Sequence, residues 1–362
     1  MIDNTKVTES SVGAAQNHLG RGMTARANGP LRVVLAGGNG HVGNILARHF
    51  HAQGDTVTVL SRKASHASWS VVGWDGVTPG GWCAELERAD VLINLAGRSV
   101  DCRYSARNRR EILESRVGTT RLLGNVIRGL ANSPRLWMNM STATIYRHAF
   151  DRDMDEANGE IGGNEPDTPA SWAFSIAVAT NWEETFFASQ TPKTRKIGLR
   201  SAMVMSPERD GVFGMLLRLV EFGLGGAAGS GKQFMSWIHG ADFVRAIEYL
   251  IAHEEFAGVL NLAAPGPLPN AEFMCAMREA WGIGFGLSAA RWMLEIGAVV
   301  LRTETELILK SRRVVPGRLI ESGFPFQFPE WRGAARDLVG RWRNQVKEAT
   351  AAGTISREGV SV

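Results

Sequence analysis

An apolar run from Leu31 to Ala36 enters a cluster of glycines and leaves it as a helix, and no other stretch of this chain limits its fold as tightly. The cluster reads Gly37-Gly38-Asn39-Gly40-His41-Val42-Gly43, after which Val42, Ile45, Leu46, His49 and Phe50 repeat at helical spacing up to Gly54. Gly37 allows a tight turn, Gly40 lets a pyrophosphate approach the backbone, and Gly43 permits close helix packing. The helix start offers unpaired N–H groups to an anion. A glycine triplet alone marks any strand-to-helix turn, but here the flanking strand and helix supply the context that dinucleotide binding requires.

The next strand, Thr56 to Leu60, ends in Ser61-Arg62-Lys63 and carries no acid to hold a ribose 2′-hydroxyl. Arg62 is placed to pair with a 2′-phosphate, which favours NADP(H) over NAD(H); the competing reading of Arg62 and Lys63 is a solvated loop. Asp75, after the third strand, is a further cofactor candidate, as are Leu95, Ala96 and Gly97 after the fourth.

Of the 362 residues, 44% are hydrophobic and 21% charged, which argues against long disorder. The net charge of +4 is spread out, leaving no basic stripe for nucleic acid. Three cysteines without a Cys-x-x-Cys pair suggest neither zinc nor a disulfide framework, and no metal site is expected. Residues 1–30 lack a signal-peptide core and read as a disordered tail, or as an over-long start with Met23 as initiator. The longest later apolar run, Ile296 to Leu301, is too short for a bilayer, so the expectation is a cytoplasmic protein.

Further along come Val91 to Gly97, a helix from Asn108 to Leu130, and Trp137 to Ser141 leading into Thr142-Ala143-Thr144-Ile145-Tyr146. This order resembles the extended short-chain dehydrogenase/reductases. More narrowly, Ile93 to Gly97, Arg109 to Val117, the Gly-Ser-Gly-Lys-Gln stretch from Gly229, and Met235 to His239 resemble the bacterial "epimerase family" proteins. Leu309 to Leu319 with Gly323-Phe324 matches the uncharacterised C-terminal extension of that branch, and the resemblance runs from about Leu31 to about Arg343.

The resemblance implies a tyrosine whose proton moves as hydride moves, a lysine four residues on that lowers its pKa, and a serine or threonine that orients the substrate oxygen. Thr142 falls at the hydroxyl position, with Ser141 as the fallback. The tyrosine and lysine should open the helix through Ser171 to Glu183, where Phe174 and Val178 stand instead. No nearby register restores the pair, because the three tyrosines are Tyr104, Tyr146 and Tyr249. Tyr146 and His148 are conceivable substitutes, against a packing role for Tyr146; Asp153, Asp155, Glu156 and Glu165 lie on a polar loop that could include a base. His239 reads as structural, at a helix start.

By the same likeness, Pro207 meets the nicotinamide, and Lys232, Arg313 and Arg318 are candidates for an anionic substrate, with ordinary surface charge as the competing reading. The loop Gly223 to Lys232 could close over a ligand or be a plain connection, and the stripe Trp292, Ile296, Val299, Val300 reads as core. The expected fold is a doubly wound parallel-sheet Rossmann domain, 31–205 plus 236–264, with a smaller C-terminal substrate lobe, 206–235 plus 265–343, and a tail from 344 to 362. Core strands are expected near 31, 56, 70, 91, 136, 197 and 259. The expected activity is that of an NADP-dependent oxidoreductase or epimerase/dehydratase-like enzyme on a small molecule; the alternative is a silent NADPH-binding sensor. The helix at 108–130 occupies the place where extended relatives often form homodimers.

Overall fold

The computed structural model describes residues 29–63, 66–166, 168–208, 211–290, 292–293 and 306–351. Seven parallel strands form one sheet: β1 (Arg32–Ala36), β2 (Thr56–Ser61), β3 (Ser70–Gly73), β4 (Val91–Asn94), β5 (Leu136–Thr142), β6 (Arg195–Ser201) and β7 (Gly258–Leu262). Their spatial order is 3-2-1-4-5-6-7, so the chain reverses direction between β1 and β4. That reversal opens a crevice at the carboxyl ends of the strands, where doubly wound sheets bind ligands. All seven expected strands form; the central ones such as β1 and β4 carry the near-continuous apolar runs that a parallel sheet covered on both faces demands, whereas the edge strand β3 is only half-buried.

Helices α1 (His41–Ala52), α2 (Cys83–Glu87), α3 (Ala106–Gly129), α4 (Ala170–Ala188), α5 (Val212–Glu221) and α6 (Gly240–Ala252) follow the strands. On one face of the sheet, Leu46, Ala47 and Phe50 of α1 pack with Phe243 and Ile247 of α6 over Leu35, Ile93 and Leu199. On the other, Leu123 and Ile127 of α3 and Phe186 of α4 pack over Leu92 and Trp137. Removing a fully buried ring such as Phe50 costs about 3–5 kcal/mol.

Beyond the sheet lie α7 (Asn270–Trp281), α8 (Glu306–Leu309), α9 (Gly317–Glu321) and α10 (Trp331–Ala351). A further core joins Phe213 and Leu217 of α5, Phe273 and Met277 of α7, and Trp331, Leu338 and Trp342 of α10. Trp331 stacks on Phe273 with ring centroids 3.9 Å apart. The tail expected from 344 is corrected here: α10 runs on to Ala351 and Val346 packs against this core, continuing the stripe of Val339 and Trp342 by one more turn. The stripe from Trp292 is also corrected, since Trp292 is exposed; Ile296, Val299 and Val300 lie outside the described residues, as do residues 1–28 of the expected leading tail. Among the described residues no helix is long and apolar enough to cross a membrane.

Candidate functional site

The glycine loop sits in the crevice. Gly37 has φ +75°, and a Cβ there would lie 2.7 Å from Ala96 Cα, so the loop after β1 and the loop after β4 touch through a missing side chain. A Cβ on Gly43 would stand 2.2 Å from the Gly38 carbonyl oxygen, which is the close helix approach expected of that glycine. Gly40 differs: its Cβ position has nothing within 4 Å, leaving an open approach to the start of α1. That start has no side-chain cap hydrogen bond from Gly40 and no acid in its first turn, so the positive end of its dipole favours an anion there.

The rest of the loop is braced. Asn39 Nδ2 donates to Ser61 Oγ (2.7 Å) and to the Lys63 carbonyl (3.2 Å). His41 Nε2 shares a 2.9 Å hydrogen bond with Ser206 Oγ, which brings Pro207 to the loop. Val42 is half-buried against the sheet core. Arg62 is exposed at the end of β2 and forms no ion pair among the described residues. Asp75 takes a local role, its carboxylate accepting from Val77 N, Thr78 N and Thr78 Oγ1, bonds that hold its pKa down at about 2. Leu95, Ala96 and Gly97 are fixed by buried Asn94, whose Oδ1 accepts from Ala96 N at 3.1 Å and whose Nδ2 donates to Asn139 and Thr120. These residues fit a dinucleotide: an uncapped helix start, an open Gly40 and an acid-free end of β2.

Thr142 ends β5, half-buried, its Oγ1 accepting from Thr144 N at 3.2 Å. Ser141 is corrected as a fallback. It faces the other way and donates to Glu183 Oε1 at 2.6 Å, within a buried pair in which Arg200 Nε and Nη2 grip both Glu183 oxygens at 2.9 and 2.7 Å. Tyr146 is corrected as a catalytic substitute: it is buried, accepts from Arg200 Nη1 at 2.9 Å and donates to Asn261 Oδ1 at 2.9 Å. Burial pushes its phenol above the usual range, the wrong direction for a proton shuttle at neutral pH.

The loop carboxylates are engaged structurally. Asp153 pairs with Arg313, Asp155 caps a turn through Ala157 N, Glu156 accepts from Asn261 N and Arg318 N, and Glu165 accepts from His148 N and Thr168 Oγ1. His239 caps α6, its Nδ1 accepting from Ala241 N at 3.0 Å, as expected. Of the three anion candidates, Lys232 is exposed, whereas Arg313 packs over Phe234 and binds Asp153. Arg318 donates to the Ala257 and Val259 carbonyls at the amino end of β7, the wrong end of the sheet for the crevice. The three do not converge. The Gly223–Lys232 loop is zipped to 287–289 through Gly226 N to Leu287 O (3.1 Å) and Gly229 N to Ala289 O (2.8 Å), and Gly226 serves close backbone approach.

What sequence reasoning missed is a cluster at the start of α4. Phe174 meets the Tyr104 ring edge-on at 5.1 Å, and Val178 packs with Tyr104 and Ile112, so apolar groups fill the place of the absent pair. Tyr104 Oη lies 3.2 Å from Ser175 Oγ, which donates to Glu306 Oε2 at 2.6 Å. Glu306 belongs to the C-terminal segment, which also buries Lys310 and Arg312. Lys310 Nζ donates to the Thr144 carbonyl (2.7 Å) and lies 3.9 Å from Glu306, while Arg312 Nε donates to Thr144 Oγ1 (3.2 Å). Burial lowers Lys310 to about 8.

Beside this cluster is a cavity of about 220 Å³ lined by His148, Phe150, Trp172, Ser230, Gln233 and Leu309. His148 Nδ1 accepts from Ser311 N at 2.8 Å, and burial, then Lys310, keeps the ring neutral, so its proton sits on Nε2. A hollow of about 300 Å³ between α3 and α4, lined by Arg121, Arg128 and Gln190, lies at the amino ends of the strands and away from this chemistry.

The NAD dependent epimerase/dehydratase family model matches residues 33–263, and a domain of unknown function, DUF1731, matches 289–338. Epimerase family protein SDR39U1 of Mus musculus is 30% identical over 321 residues, 85% of this chain and 100% of that protein. Epimerase family protein SSP1921 of Staphylococcus saprophyticus is 28% identical over 318 residues, 84% of this chain and 98% of its own. Among solved structures, human epimerase family protein SDR39U1 with NADPH superposes with a TM-score of 0.73 at 28% identity, covering 86% of this chain and 99% of that one. A nucleoside-diphosphate sugar epimerase from Corynebacterium glutamicum gives 0.67 at 25% identity, covering 86% of this chain and 59% of that one.

Proposed function

The chain belongs to the NAD dependent epimerase/dehydratase family, and from that premise we propose that it is an NADP(H)-dependent oxidoreductase or epimerase-like enzyme acting on a small polar substrate. The observation that carries the cofactor choice is Arg62, with no ion pair among the described residues, at an acid-free end of β2, beside an α1 start left open by Gly40. A bound nicotinamide would supply or accept hydride. The chain's part is to move the proton. Thr142 orients the substrate oxygen, and Tyr104 exchanges a proton with it through Ser175 and Glu306, in place of the pair lost at Phe174 and Val178. Support for NADPH also comes from the human relative solved with that ligand.

The apolar packing of Val178 favours a second reading, an NADPH-binding sensor without turnover. Titrating NADPH and NADH into the purified protein, with fluorescence of the eleven tryptophans as the signal, tests the cofactor reading. Arg62→Ala should weaken NADPH by about tenfold or more while leaving NADH nearly unchanged. Equal losses would defeat the 2′-phosphate assignment. NADPH oxidation with 9,10-phenanthrenequinone as a generic carbonyl probe separates enzyme from sensor.

A further inference from the structure

Gly97 ends the loop after β4, and the space its Cβ would need is taken by the Arg116 guanidinium: Cζ, Nη2 and Nε lie 3.1, 3.2 and 3.4 Å from that position. The same guanidinium lies 5.3 Å from the Trp182 ring centroid, so it is held between a peptide backbone and an indole. Nη1 donates to the Ile112 carbonyl one turn back, at 3.2 Å. No carboxylate pairs with it among the described residues. Glu111 on the same helix is taken by Arg98 and Arg107, and Glu114 points to Gly118.

Burial lowers Arg116 to about 10, and no acidic side chain opposes that shift; the opposing influence is the Tyr104 phenol. A cation held from water without a counter-ion is costly, and the cost is tolerable where a ligand brings the missing charge. The position suits a ligand, because Gly97 is exposed and its neighbour Ala96 is the wall against which Gly37 of the glycine loop packs.

We propose that Arg116 is the counter-ion for a phosphate or carboxylate group bound over Gly97 at the floor of the crevice. The inference rests on the cofactor reading for its location, and the anion is either the pyrophosphate of the cofactor or an acidic group of the substrate. An arginine suits either, since its planar fork binds two oxygens at once.

The test uses the full chain with Arg116→Met and Arg116→Lys, measuring thermal unfolding without ligand, NADPH affinity, and the shift in melting temperature caused by inorganic phosphate and by malonate. The methionine variant should melt no lower than wild type, because an unpaired cation is removed and its aliphatic stem kept. Loss of at least about tenfold in NADPH affinity assigns the anion to the cofactor. Unchanged NADPH binding, with phosphate or malonate stabilising wild type but not Arg116→Met, assigns it to the substrate. The lysine variant should recover part of whichever response is lost. If wild type binds no NADPH the cofactor reading fails by itself, and the phosphate and malonate melts still decide the anion site. The proposal is overturned if NADPH affinity and both anion responses survive in Arg116→Met, or if both variants melt several degrees lower and lose binding alike, as a packing residue would.

Discussion

Glu306 accepts a 2.6 Å hydrogen bond from Ser175, the residue next to Phe174, so the C-terminal segment reaches the turn of α4 from which the usual tyrosine is missing. Ser175 in turn meets Tyr104, which gives a line of two proton-bearing hydroxyls, the phenol and the serine, ending at a carboxylate acceptor. On the proposed reading, in the oxidative direction the substrate hydroxyl would give its proton to Tyr104 as Tyr104 gives one to Ser175 and Ser175 gives one to Glu306, the hydride passing to the nicotinamide.

Tyr104→Phe tests this line. The ring and its contact with Phe174 stay, so folding and NADPH binding should be unchanged. Reduction of phenanthrenequinone should slow by about 100-fold, the lower range for losing a positioned acid or base. A variant that keeps more than half the wild-type rate rules Tyr104 out.

The two glycines of the loop should separate stability from binding. Gly43→Ala puts a methyl 2.2 Å from a backbone oxygen, and since backbone cannot swing aside, the melting temperature should fall by an amount equivalent to at least about 1–3 kcal/mol. Gly40→Ala meets nothing within 4 Å and has φ −82°, which any residue adopts, so the unliganded protein should melt as wild type. NADPH affinity should nevertheless drop by about tenfold or more, because the methyl stands where a pyrophosphate must approach. Wild-type affinity in Gly40→Ala would place the cofactor elsewhere.

The central strands and the loop glycines were legible because their signals are local: an apolar run at β1 and β4, and a glycine at Gly37 and Gly43 where another backbone comes within contact. The alternation of a strand also explains why Ser141 and Thr142, adjacent in sequence, part company, one facing Glu183 and the other the site end of β5. Ser175 and Glu306 are 131 residues apart and Tyr104 and Ser175 are 71 apart, and no periodicity reports such pairings. Arg116 reads in sequence as one more cation on a polar helix; its want of a carboxylate among the described residues is visible only in three dimensions.

Tyr146 is the residue whose sequence position suggested chemistry and whose surroundings do not. Tyr146→Phe removes a donor to Asn261 and an acceptor for Arg200, both buried, so it should destabilise by about 1–3 kcal/mol. Turnover per folded molecule and NADPH affinity should stay at wild-type values. A selective loss of rate at constant melting temperature would return Tyr146 to the catalytic list.

Lys310 provides a pH signature for the buried C-terminal cluster. Burial sets its pKa at about 8, below that of an ordinary lysine at about 10.4. Below pH 8 the amine is protonated whether the chain is folded or unfolded, and the full cost of burying the charge is present. Between the two values the unfolded chain holds a proton that the folded chain has released, so this group makes stability rise with pH. Above the upper value the cost has gone. The difference in unfolding free energy between Lys310→Met and wild type should therefore shift towards wild type by up to about 3 kcal/mol from pH 7 to pH 10.5, with most of the change after pH 8. Arg312 remains beside Glu306 in the variant, its Nη2 donating to the Glu306 carbonyl at 3.1 Å, so the segment keeps an anchor while the amine is absent. Denaturant melts of both proteins across that range measure the shift, and a flat difference would mean that the Lys310 amine reaches water.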